Sequence, residues 1–186
     1  DVFISASAKY TKELTQSGYF VNDTVTDLCT NWITIVTPKD NPAEITTLAD
    51  LAKPGMLIAM GTEEVPVGIN TRKVIDKIAN DSAYGSEWKD AVFANTATYE
   101  TTEPGVVEKV KLGEVDAGFI YESSYKASEE DLNMVTIPEN FNELQYYSIA
   151  TMNLAPNRAG AEAFENFMLG EEGQKILASY GFSPAP

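Results

Sequence analysis

The chain has 186 residues, and its 28 acidic against 13 basic side chains give a formal net charge of −15 and a pI near 4.3. So acidic a balance excludes nucleic acid and anionic membrane surfaces as partners, and the absence of histidine excludes histidine-based catalysis and histidine metal sites. With 44% hydrophobic and 22% charged residues the composition is that of a folded protein, long enough for one large or two small domains.

The chain opens on Asp1-Val2-Phe3-Ile4-Ser5. Residues 1–7 are expected to form a short buried strand, and a Val-Phe-Ile run so close to the first residue implies that further sequence lies upstream. A helix is predicted from Ala8 to Ser17, ending at Gly18. The β-branched run "NWITIVTPKDNP" (31–42) predicts a strand stopped by Pro38 and Pro42. A brief helix follows in "TTLADLAKPG", then a buried strand in "MLIAMG". Cys29 is the only cysteine and makes no intrachain disulfide. No apolar run approaches the roughly 20 residues that span a bilayer.

Residues 61–75, "GTEEVPVGINTRKVI", place an uncharged Val65-Pro66-Val67-Gly68 step at a helix start, with Ile69, Val74, Ile75 and Ile78 near helical spacing. Proline suits the first turn, where its missing N–H costs nothing. The amides from Val67 onward then lie at a partial positive charge, and Gly68 leaves room for whatever approaches them. The alternative is a plain helix start solvated by water. "DAVFANTATYE" predicts a further strand or loop.

A second helix start is Thr101-Thr102-Glu103-Pro104-Gly105, with a threonine cap, a first-turn carboxylate, and Val106, Val107 and Val110 as the buried face. Glu103 also reads as ordinary compensation of the helix dipole. Gly113 stops this helix, and the strand Ala117–Tyr121 follows. Ligands in open α/β sheets bind beyond the carboxyl ends of strands, so Tyr121 offers a neutral hydroxyl there or is simply a core tyrosine. "LNMVTIP" and "LQYYSIATM" predict strands, and helices are predicted at Arg158–Leu169 and Glu171–Tyr180, closed by Gly181. Helices alternating with strands indicate an α/β fold with mostly parallel sheets. Two helix starts and a tyrosine hydroxyl suit a small anion without any lysine or arginine.

The acidic runs Glu63-Glu64 and Glu129-Glu130-Asp131 sit in polar, turn-like stretches and read as solvated faces. Without histidine no nucleophile–base pair assembles, so the chain is not expected to be an enzyme.

"DVFISAS", "VPVGINTRKVI", "EPGVVEKVKLGEVDAGFIYESS" and "GEEGQKILASYGF" together resemble the periplasmic molybdate/tungstate-binding proteins of ABC importers, over nearly the whole chain and in the same order. The resemblance implies an α/β, two-lobed periplasmic-binding-protein-like fold (class II) with mixed sheets flanked by helices, the lobes closing on the ligand. It assigns residues 1–31 and 150–186 to a partial lobe 1 and 35–145 to lobe 2, with crossover strands near 31–36 and 145–150. The N-terminal part of lobe 1, with two serine-bearing loops that contact the oxyanion, would precede Asp1.

By the same resemblance the Val67 amide and the Tyr121 hydroxyl contact the oxyanion. Glu103 matches the glutamate with which archaeal members coordinate the ligand's molybdenum or tungsten. Those members pair it with an aspartate where this chain has Val65, so capping or a hinge contact stays open for Glu103. The ligand is molybdate or tungstate and no cofactor is implied. The partner is an ABC permease, and the protein is expected to be a monomer outside the cytoplasm, periplasmic or held at the cell surface by a lipid on the upstream part. A receptor for sulfate or phosphate, or the ligand-sensing domain of a transcription regulator, are the alternatives.

Overall fold

The computed structural model describes residues 1–21 and 24–186. The chain divides into two compact units, one of residues 1–31 and 144–186, the other of residues 32–143.

In the first unit, strand β1 (Val2–Ser5) pairs antiparallel with β7 (Leu144–Thr151), and β8 (Ser183–Pro184) pairs antiparallel with Cys29 and Thr30. Helix α1 (Ala8–Gln16) starts at Ser7, whose hydroxyl accepts from the Tyr10 N–H, and ends before Gly18, where φ is +73°. The C-terminal helices are α6 (Arg158–Leu169) and α7 (Glu171–Ser179), as the helical spacing predicts. The expected buried strand at 1–7 is shorter and only half-buried, with Ile4 exposed, because β1 pairs with β7 alone. The core of this unit gathers Leu28, Cys29 and Ile149, with Tyr147, Met168, Leu177 and Phe182 packed around them.

Strand β2 (Thr26–Pro38) begins in the first unit and ends in the second. It starts five residues before the expected Asn31, because β8 extends its ladder at Cys29 and Thr30. Pro38 ends it as predicted.

In the second unit, β2 pairs antiparallel with β5 (Ala117–Tyr121) and with β6 (Leu132–Val135). Strand β3 (Ile58–Gly61) lies parallel to both β5 and β4 (Thr96–Glu100). Only these two pairings are parallel among those registered, so the sheets are mixed and the expectation of mostly parallel strands does not hold. Two strands joined through a helix come out parallel, whereas β2 meets partners that return from the opposite direction.

Helices α2 (Pro66–Ala79), α3 (Gly85–Ala94), α4 (Glu103–Lys111) and the short α5 (Glu122–Lys126) complete this unit, with a 3₁₀ turn at Leu48–Ala52. The apolar side chains of α2 and α3 join Ile33, Ile35, Ile58, Met60 and Phe119 in one core cluster. Val106, Val107 and Val110 of α4 join Val36, Ala59 and Ile120 in a second. Alternate residues of each strand feed the two clusters, as the period of two requires. The stretch "DAVFANTATYE", expected as strand or loop, is divided: Asp90–Ala94 finish α3 and Thr96–Glu100 form β4. Trp88, buried on α3, donates its indole N–H to the Leu48 carbonyl at 2.8 Å.

Candidate functional site

All three residues singled out from the sequence lie in the second unit, at the carboxyl ends of β3 and β5 and at the starts of α2 and α4. Helix α2 begins with Pro66 in its first turn, and Val65 in the N-cap position supplies no side-chain hydrogen bond. The early amides of a helix have no intrahelical acceptor, so this end presents donors and a partial positive charge. No acidic side chain occupies the first turn of α2. Val67 is buried, its side chain in the larger core cluster, which fixes the backbone around its amide.

Gly68 is required where it stands. A Cβ there would come within 2.0 Å of the Thr62 carbonyl oxygen and 2.4 Å of that of Gly61. Helix α2 is therefore pressed directly onto the last residues of β3, closer than any side chain permits. Two hydroxyls in this region, Thr62 Oγ1 and Thr71 Oγ1, are buried without a hydrogen-bond partner among the described residues. A buried polar atom left unpaired costs about 1–3 kcal/mol, so such atoms are few in native proteins.

Helix α4 starts differently. The Thr102 hydroxyl caps it, accepting from the Gly105 N–H at 3.3 Å, and Glu103 occupies its first turn. The Glu103 carboxylate does more than compensate a dipole: Oε1 accepts the backbone N–H of Tyr121 at 2.8 Å, and the Ser124 side chain bonds it as well. Burial pushes the Glu103 carboxyl above its ordinary value, while the two hydrogen bonds pull the other way. Burial likewise raises the neighbouring Glu122.

Tyr121 ends β5 and is 5% exposed. Its hydroxyl accepts from Asn70 Nδ2 at 3.1 Å. Tyr121 thus joins the two helix starts, touching α2 through its hydroxyl and the first residue of α4 through its amide. These bonds bring Asn70, Glu103 and Tyr121 together, and Val67 shares a core cluster with Tyr121. Sequence reasoning missed Asn70 and Ser124. Asn70 had a signal, since it falls among Val67, Thr71, Val74 and Ile78 on the buried face of α2. A polar side chain in an apolar stripe implies a buried partner.

The acidic runs behave as solvated faces. Glu63, Glu64, Glu129, Glu130 and Asp131 are exposed, and Lys126–Glu129 and Lys111–Asp131 pair at 2.6 and 2.8 Å. No helix among the described residues is long and apolar enough to cross a membrane.

The whole chain is similar to proteins of known name. A molybdate-binding protein of Mycobacterium bovis is 27% identical over 183 residues, which cover 98% of this chain and 65% of that protein. The chain thus spans a little under two thirds of the length of that relative. A solved substrate-binding domain from Clostridium difficile, ascribed to a molybdenum ABC transporter, is 26% identical with a TM-score of 0.86, over 100% of this chain and 77% of that one. The periplasmic molybdate-binding protein of Azotobacter vinelandii shares the fold at 16% identity, with a TM-score of 0.77 over 100% of this chain and 79% of that one. The family described as bacterial extracellular solute-binding protein matches residues 1–183, and the chain belongs to it.

Proposed function

We propose that this protein captures molybdate or tungstate outside the cytoplasm and passes it to an ABC permease, acting by binding and release rather than by catalysis. The observation that carries this reading is the joining of two helix starts through Tyr121, by the Asn70–hydroxyl and Glu103–amide bonds. Neutral donors held rigidly at helix ends bind a dianion without a lysine or arginine in direct contact with it, which agrees with the protein's strongly acidic balance. The names of the M. bovis relative and of the C. difficile domain support the choice of oxyanion.

In this reading the Val67 amide and the Tyr121 hydroxyl donate to ligand oxygens. A monomer held at the cell surface or free in the periplasm presents the cargo. Glu103 has two roles to separate: its carboxylate reaches the ligand's metal, or it serves by holding the Tyr121 amide.

Calorimetric titration of the full-length protein with molybdate, tungstate, sulfate and phosphate tests the proposal. Tight binding of the first two is expected, since both exceed sulfate in size at equal charge. Tight binding of sulfate or phosphate alone would overturn it in favour of a receptor for those ions. Glu103→Gln should weaken molybdate binding at least tenfold if the carboxylate meets the metal, a loss of about 1.4 kcal/mol. Unchanged affinity removes Glu103 from the ligand.

A further inference from the structure

The packing of α2 against β3 creates an electrostatic problem for any anion at its start. The carbonyl oxygens of Gly61 and Thr62 lie against the first turn of α2, as the short approach to Gly68 shows. Carbonyl oxygens carry partial negative charge and oppose an anion nearby. One side chain answers the first of them. Arg72 Nη1 donates to Gly61 O at 3.0 Å and to Gly68 O at 2.8 Å. Its Nε faces Glu63 Oε1 at 3.3 Å, and its guanidinium lies over the Tyr99 ring, 5.4 Å from the centroid.

We propose that Arg72 is a positioning residue for the oxyanion: it locks the β3–α2 turn and holds a fixed positive charge behind the amides of the α2 start. This rests on the oxyanion reading given above and extends it, since none of the donors assigned there is charged. The charge on Arg72 is not simply cancelled. Arg72 is 20% exposed whereas Glu63 is 80% exposed, and both border a solvent-open cavity of about 460 Å³. Water and salt screen the glutamate far more than the arginine. Asp76, the other carboxylate of this cavity, is already paired with Lys89 at 2.6 Å. Glu100 is engaged by the Thr98 hydroxyl at 2.7 Å. A lysine at position 72 would keep the charge but lose the planar fork and its stacking on Tyr99.

A charge role and a purely structural role differ in one measurable way. Coulomb energy scales with ligand charge, so removing a cation costs a dianion twice the free energy it costs a monoanion. Molybdate and perrhenate are tetrahedral oxyanions of charge −2 and −1. Arg72→Gln should lower molybdate affinity by about tenfold and perrhenate affinity by about threefold, its square root. Arg72→Lys should keep most of the wild-type ratio between the two ions. Glu63→Gln, on an exposed side chain that the fold does not need, should raise that ratio, and it carries the test if Arg72→Gln does not fold. Calorimetry on the full-length protein, with thermal melts in the absence of ligand, reads all three variants. Equal losses for the two ions, or no loss, would overturn the role of Arg72 while leaving the oxyanion site intact. A wild-type protein that binds neither ion would remove both.

Discussion

The two compact units differ in how much apolar surface the described residues bury within each. The unit of residues 32–143 buries two clusters on the faces of its sheet, including Ile33, Ile35, Ile58, Ile75, Phe119 and Ile120 at 0% exposure. The unit of residues 1–31 and 144–186 has a core cluster of three fully buried residues, Leu28, Cys29 and Ile149. Among the described residues, that unit also holds ten of the fifteen large hydrophobic side chains that are exposed, including Leu154, Phe164, Phe167, Ile176 and Tyr180. Burial of apolar area is the main favourable term in folding. Among the described residues, the candidate site therefore stands on the unit with the larger buried core, where a misplacement of donors by even 1 Å would be costly.

Core truncations test this contrast most directly. Phe119→Ala should cost about 3–5 kcal/mol, the usual loss for a buried aromatic, whereas Leu177→Ala, at a partly buried position of α7, should cost about 1–2 kcal/mol. Urea denaturation followed by fluorescence compares them, and equal costs would break the distinction between the units. Gly68→Ala comes next, at about 3 kcal/mol, because the added methyl meets backbone carbonyls that cannot rotate away. A loss under about 1 kcal/mol would show that α2 can slide on β3.

Cys29 offers a reporter in the unit with the smaller buried core. Burial pushes its thiol up to about 11, from 9.0. A raised thiol pKa means that its contribution to stability is complete below the unfolded value and is lost as pH rises from about 9 towards 11. At pH 8 the native thiolate fraction is about a hundredfold below that of the unfolded chain. Alkylation of the native protein should be slower than that of the denatured protein by at least this factor. If the residual rate tracks global unfolding rather than an easier local opening, the first unit is as well anchored as the second.

The smallest effect concerns Glu103. Its carboxyl is raised by burial, so the folded state binds the proton more tightly than the unfolded state. Stability from this group is present below the unfolded carboxyl range and is lost as pH rises through the folded value. Glu103→Gln should flatten that part of the stability profile above the ordinary carboxyl range and change stability at neutral pH by less than about 1 kcal/mol. A profile identical to wild type would show that the desolvation of Glu103 is relieved by its bonds to Tyr121 and Ser124.

Much of the architecture is written in short local signals. Pro66 in the first turn of α2, the Thr102 cap of α4, and the left-handed Gly18, Gly113 and Gly181 each mark a boundary within a few residues of where it falls. Such signals work because capping and φ restrictions act over one turn of chain. Helix α3 escaped them: its N-cap, Tyr84, makes no side-chain bond, and what holds the helix is burial of Trp88 and Val92 against distant residues. Val67, Glu103 and Tyr121 could be named from the sequence, but what joins them could not.

By itself, the sequence determined the α/β character and the helix starts that offer amides. The tertiary structure alone decided the antiparallel pairings of β2, the hold of Asn70 on the Tyr121 hydroxyl, the turn of Glu103 toward the Tyr121 amide, and the four contacts of Arg72. The pairings of β2 and both Tyr121 bonds join residues 18 or more positions apart, and Arg72 reaches Gly61 and Tyr99 across two elements. Capping and periodicity are local, whereas hydrogen bonds and ion contacts across a fold depend on how the elements pack.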